Sequence, residues 1–139
     1  MIILDTNIVS EPTKEKPNSS VLMWLESLPR QAIYITAITV MELKAGVERM
    51  PAGKRKESFT RQNRYLVDEV YAGRVLAFDL PAAELCGALI AENWSTGRNV
   101  KFPDTQIAAI ALSRGFTLAT RNVADFQFEG LKLIDPWTD

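Results

Sequence analysis

The chain contains no histidine. That single absence removes Ser-His-Asp triads, Cys-His pairs and histidine-ligated metals from consideration. Cysteine is nearly as scarce. Cys86 stands alone among 139 residues, so no internal disulfide can form and a cysteine-based zinc site is not expected. No apolar run reaches the length of a membrane span, and Asp5 interrupts the opening one before a secretory leader takes shape. A soluble, cytoplasmic protein is expected, with no membrane partner. Neither charge is in excess: 16 basic and 17 acidic residues leave a net charge of −1. The protein is therefore no polycation, and any nucleic-acid contact must use a local patch. Internal repeats and low-complexity tracts are missing too.

What is present is an ordinary globular mixture, 47% hydrophobic and 24% charged, at a length that suits one domain over residues 1–139. Residues 2–4 form a continuous apolar run, which reads as a strand buried on both faces. A polar, proline-bearing loop over 11–20 ends in Asn18-Ser19-Ser20, caps for a helix through VLMWLESL. AIYIT (32–36) is the next strand, rich in β-branched and aromatic residues. Helical spacing then runs from Ile38 to about Met50, closed by Pro51 and Gly53. A second helix covers roughly 54–71, with Phe59, Leu66 and Val70 along one stripe. GRVLAF (73–78) reads as a strand, and residues 81–95 as a helix that begins at Pro81. Residues 102–115 make another helix, with Pro103 at its start and Gly115 as its stop. FTLAT (116–120) and LKLI (131–134) are short strands. Strands alternating with helices predict a three-layer α/β domain around a mostly parallel sheet of four or five strands.

Open parallel sheets place their ligand sites beyond the carboxyl ends of the strands. Asp5 sits at that end of the first strand. Glu42 follows the second by about one and a half helical turns, and Asn122 and Asp125 come directly after TLAT. Asp104, in the first turn of its helix, has Ile107, Ala108 and Ala111 at helical spacing, so its carboxylate lies along the inward face. Glu42 has Ala45 and Gly46 at i+3 and i+4, small neighbours that admit another chain segment. Each acid also has a plainer role open to it: Asp104 as a cap or dipole partner, Asp5 as a cap or Asx-turn, Glu42 as a solvated helix residue, Asp125 as a turn residue. What distinguishes the four is that they fall where one site would form.

A cluster of carboxylates does not stay ionised unaided. Two unit charges about 4 Å apart repel by about 4 kcal/mol at an effective dielectric near 20. The remedies are a raised pKa or a bound cation. With oxygen donors only, Mg²⁺ or Mn²⁺ is the matching ion. Such an ion can activate water and neutralise charge during phosphodiester hydrolysis.

Four stretches, ILDTN at the start, TAITVMELKAG (36–46), PDTQIAAIA (103–111) and LATRNVADF (118–126), together resemble the PIN-domain ribonucleases. More narrowly, the chain is similar to the VapC-type toxins of type II toxin–antitoxin pairs, FitB-like members especially. The resemblance extends over nearly the whole chain, to the closing DPWTD. It implies that Asp5, Glu42 and Asp104 hold Mg²⁺ or Mn²⁺ and position the attacking water. It implies that Thr6 or Asn7 supports a metal-bound water or a phosphate, and that Thr120 is the hydroxyl residue closing the last strand before the site. The family often carries a fourth acid just after that residue. Here Asn122 stands there, and the acid arrives at Asp125, so either Asp125 reaches back or three carboxylates suffice. One tightly held ion is the expectation. The resemblance further implies a homodimer, an RNA substrate, and a cognate antitoxin with a DNA-binding domain through which operator DNA is reached.

Two sets of basic residues are candidates for phosphate. Lys54, Arg55, Lys56, Arg61 and Arg64 line one helix against a single acid, Glu57, which stands i, i+4 from Arg61. Arg98, Lys101 and Arg121 flank the expected acidic edge. Trp24, Trp94 and Trp137 read as packing residues rather than stacking platforms. The alternatives to a nuclease are a non-hydrolytic Mg²⁺-binding phosphoacceptor domain, which lacks its lysine and acidic pair here, and a plain interaction domain. A dehalogenase-type phosphatase would need an acid where Asn7 stands.

Overall fold

The computed structural model describes residues 1–139. Five parallel strands make one sheet in the order β3-β2-β1-β4-β5: β1 (Ile2–Leu4), β2 (Ile33–Thr36), β3 (Val75–Leu76), β4 (Thr117–Ala119) and β5 (Leu133–Ile134). Six α-helices connect or flank them: α1 (Thr6–Ser10), α2 (Ser19–Ser27), α3 (Ala37–Glu48), α4 (Lys54–Tyr65), α5 (Leu80–Ser95) and α6 (Phe102–Arg114). The expected three-layer α/β fold is thus present, with five strands all parallel.

β1 shows why the opening run is uniformly apolar. Ile3 packs with Ile107, Ile110, Leu118 and Phe126 on one face, whereas Leu4 packs with Ile8, Val21, Ile35 and Ala119 on the other. Successive side chains point to opposite faces of a strand, so a sheet covered on both sides needs hydrophobes at every position. The register Ile3↔Leu118 and Leu4↔Ala119 carries the same alternation into β4. Fully burying each such aliphatic contributes roughly 1.5–3 kcal/mol, and truncating Ile107 to alanine would cost about 2–5 kcal/mol.

α6 follows its sequence signals closely. Pro103 lies in the first turn, and Gly115 ends the helix at φ +68°, in the left-handed region where only glycine is comfortable. Asn18 caps α2 by accepting from the Ser20 and Val21 amides. Elsewhere the elements differ in extent from expectation. The strands after Gly73 and Gly115 are shorter than drawn, with β3 and β5 only two residues each. The helix expected over 54–71 is α-helical only to Tyr65 and then widens into one π-turn, Leu66–Val70. α5 starts at Leu80, capped by Asp79, rather than at Pro81. The loop over 11–20 opens with a 3₁₀ turn, Glu11–Thr13. Trp94 is a correction: it is 63% exposed, while Trp24 and Trp137 pack against the core as expected. No helix is long and apolar enough to cross a membrane.

Candidate active site at the sheet switch point

Chain order runs outward from β1 to β2 and β3 on one side, then to β4 and β5 on the other. The crevice between β1 and β4 is therefore the topological switch point, where open α/β sheets bind ligands. Asp5 leaves β1 there. Its amide still donates to Ala119 O in sheet fashion at 2.9 Å, and its carbonyl already accepts from Ile8 and Val9. Asp5 is thus the N-cap of α1, with Oδ1 accepting from the Thr6 amide at 2.8 Å. The cap that the sequence offered as one role for Asp5 is thus realised, at the switch point itself. The other carboxylate oxygen, Oδ2, accepts from the Thr120 hydroxyl at 2.7 Å. Thr120 is itself wholly buried and accepts from the Asn122 amide at 3.0 Å.

Asp5 is only 6% exposed. Burial raises its pKa, and the Thr120 and Thr6 donors hold that rise in check while the charge of Asp125 adds to it. Asp104, in the first turn of α6, is pushed up to about 6, first by burial and then by the negative charges of Asp5, Asp125 and Glu42. Lys101 pulls the other way. The four acids therefore act on one another electrostatically at a single edge of the sheet. Asp125 lies on a 3₁₀ turn, Val123–Phe126, half exposed and 3.9 Å from Lys101.

Glu42 joins this edge through Thr6. The Thr6 hydroxyl donates to Glu42 Oε1 at 2.8 Å and lies 3.1 Å from the Thr39 hydroxyl. Thr6 is thus turned inward, toward a carboxylate. The neighbouring Asn7 has a buried side-chain oxygen with no hydrogen-bond partner. A Cβ placed at Gly46, one turn beyond Glu42, would meet no other chain segment within 4 Å. Gly46 opens instead onto a groove of about 670 Å³ that runs from Glu42 past Leu43, Val47 and Met50 to Lys54 and Arg55.

The basic candidates do not share one patch. Lys101 stands beside the acids. Arg121 lies over the Trp137 ring, 5.1 Å from its centroid, and its charge reaches Glu11. Arg98 lies by the end of α5 in a hollow lined by Asn93, Gln127 and Phe128, none of them a site candidate. On α4, Arg64 pairs with Asp68 at 3.5 Å rather than Arg61 with Glu57.

Sequence reasoning passed over two residues. Thr39 lies within a quoted motif, but a hydroxyl inside a helix carries no pattern of its own. Glu11, placed in a polar loop, is buried. It accepts from the Asn18 amide at 3.0 Å and pairs with Lys14 at 2.8 Å.

No three acidic side chains stand together so as to enclose a metal ion by themselves. The donor set nevertheless suits a hard cation. Every candidate ligand is an oxygen, the acids are mutually repelled without a counter-charge, and the Asn7 oxygen is orphaned. An ion here would complete its shell with water and substrate oxygens, as magnesium commonly does.

Comparison with known proteins identifies the fold. Residues 2–127 match the PIN domain. The VapC ribonuclease Y4jK of Sinorhizobium fredii is 42% identical over 99% of this chain and 98% of its own length. Toxin FitB of Neisseria gonorrhoeae is 36% identical over the full length of both. The solved structure of FitAB bound to an IR36 DNA fragment superposes with a TM-score of 0.90 at 35% identity, covering 99% of this chain and 96% of that one. With a family match over most of the chain and relatives above 30% identity along its whole length, this protein belongs to the PIN-domain family, among its VapC- and FitB-type members.

Proposed function

We propose that the protein is the toxin of a type II toxin–antitoxin pair, an endoribonuclease that hydrolyses RNA phosphodiester bonds with Mg²⁺ or Mn²⁺. The observation that carries this reading is the gathering of Asp5, Glu42, Asp104 and Asp125 at the switch point, where burial and the neighbouring negative charges push the Asp104 pKa up to about 6. Acids with pKa values raised by burial and like charge cluster at functional sites, and open α/β sheets place those sites at the switch point. The names and the DNA-bound assembly of the relatives support the same reading.

Asp5, Glu42 and Asp104 would hold the cation, with Asp125 as the fourth acid at the rim. When bound, the cation supplies Lewis-acid polarisation of a phosphate oxygen and a water of lowered pKa. The protein's own part is orientation. Thr120 and the Thr6 amide fix both oxygens of Asp5, and the Thr6 hydroxyl fixes one oxygen of Glu42. The buried, unpartnered Asn7 oxygen offers an acceptor to an internal water. Lys101, exposed beside Asp125, presents positive charge to a neighbouring phosphate. The partner is a cognate antitoxin with a DNA-binding domain, which brings a toxin dimer to operator DNA.

The test is cleavage of total RNA with mapping of the new ends. Wild-type protein should cut in Mg²⁺ or Mn²⁺ and stop in chelator, and Asp5→Asn and Asp104→Asn should be folded and inactive. Wild-type rates in both variants would refute the reading.

A further inference from the structure

The Thr6 hydroxyl has one proton and two oxygen neighbours, Glu42 Oε1 at 2.8 Å and Thr39 Oγ1 at 3.1 Å. The carboxylate oxygen is the nearer and stronger acceptor, so the Thr6 proton goes to Glu42. The contact with Thr39 is then made by the Thr39 proton, pointing at Thr6. Thr39 has no competing use for that proton. Other helical hydroxyls of this chain bond back to a carbonyl three or four residues earlier: Ser10 to Thr6, Thr60 to Lys56, Thr105 to Lys101 and Ser113 to Ile110. Thr39 is wholly buried, and its hydroxyl has Thr6 alone. Its backbone is fixed as well, since its amide donates to the Thr36 hydroxyl that caps α3 at 3.2 Å.

We infer that Thr39 is a positioning residue: it and Thr6 form a directed relay of two hydroxyls that sets the orientation of the Glu42 carboxylate. The relay satisfies Oε1 and leaves Oε2 for the acidic edge. It also ties α3 to α1, and so fixes Glu42 relative to Asp5, the cap of α1. Second-layer donors of this kind tune metal affinity by about 10–100-fold when removed from carboxylate and histidine ligands. The inference rests on the proposed metal site, so its test must separate the two.

Mg²⁺ and Mn²⁺ binding to the purified protein is measured by calorimetry, with folding followed by circular dichroism melting. Wild type should bind, and Asp104→Asn should not. Thr39→Val keeps the buried shape and removes the proton. It should weaken binding by about tenfold, and Thr39→Ser should restore it. Thr6→Val should weaken binding at least as much, and adding Thr39→Val to it should cost nothing more, because the relay is already cut. A merely structural Thr39 predicts the opposite: unchanged binding, or penalties that add in the double variant. Either result overturns the inference even with the site intact. If Thr39→Val does not fold, Thr39→Ala with the same cycle decides between the same two results. Binding that survives in Asp104→Asn would overturn the metal site and the relay together.

Discussion

The Thr120 hydroxyl and Asp5 Oδ2 lie 2.7 Å apart, bridging β4 to β1 across the switch point. Replacing Thr120 with valine strands the buried Asp5 oxygen and removes the acceptor of the partly buried Asn122 amide. A loss of about 1–3 kcal/mol in unfolding free energy is expected, read by urea denaturation, and Thr120→Ser should recover most of it. A valine variant as stable as wild type would show the bond to be incidental.

The raised pKa of Asp104 predicts a stability that falls as pH rises. Its folded value of about 6 exceeds the ordinary 3.8, so the unfolded chain releases the proton first. The penalty is absent below about 3.8, grows as pH climbs through that window, and is complete above 6. Buried Asp5 shifts in the same direction. Metal-free wild type should therefore lose melting temperature between pH 4 and 6.5 relative to Asp104→Asn, and should be the less stable of the two at pH 7. Parallel melting curves for the two proteins would contradict this.

Asp125, not Asn122, should behave as the fourth acid. The charge of Asp125 reaches both Asp5 and Asp104, whereas Asn122 is exposed and engaged through its backbone amide. Asp125→Asn should lower RNA cleavage by about tenfold or more, and Asn122→Ala should leave it within about twofold. Removing the Asp125 charge should also bring the Asp104 pKa down, which NMR titration of the metal-free protein would report. Equal rates for the two variants would return the site to three carboxylates.

Among the basic candidates the structure ranks Lys101 first. Lys101→Ala should weaken RNA binding and reduce the slope of log affinity against log salt by about 0.7, the value for one phosphate contact on a single strand. Arg98→Ala, in its separate hollow, should leave that slope unchanged. Filter binding over a salt series distinguishes the two.

The lengths and faces of these elements explain what the sequence disclosed. α6 was legible because Pro103, the Ile107-Ala108-Ala111 face and Gly115 all carry strong local signals, and that face is wholly buried. β1 was legible from three hydrophobes in a row. α1 was not, since five residues hold too little periodicity, and only the capping by Asp5 reveals it. The carboxylates stood out in the sequence because strand ends announce them. The hydroxyls that hold them were harder: the resemblance offered Thr6 or Asn7 as support for a water or phosphate without showing that Thr6 donates to Glu42, and Thr39 was passed over. Such bonds depend on side chains distant in sequence, which no local pattern encodes. Trp94 misled for a related reason, since aromatic character alone does not say on which side of a helix a ring falls.

The placement of β1 in the middle of the sheet has a consequence for synthesis. β2 is available early to pair with it, but β4, its other neighbour, is completed more than a hundred residues later. Until then the edge that bears Asp5 is bare, and the hydroxyl that will steady its carboxylate has not been made. On a ribosome adding about 5–20 residues per second, that interval lasts seconds. The four acids of that edge meet only once α6, β4 and the turn after it have all been made.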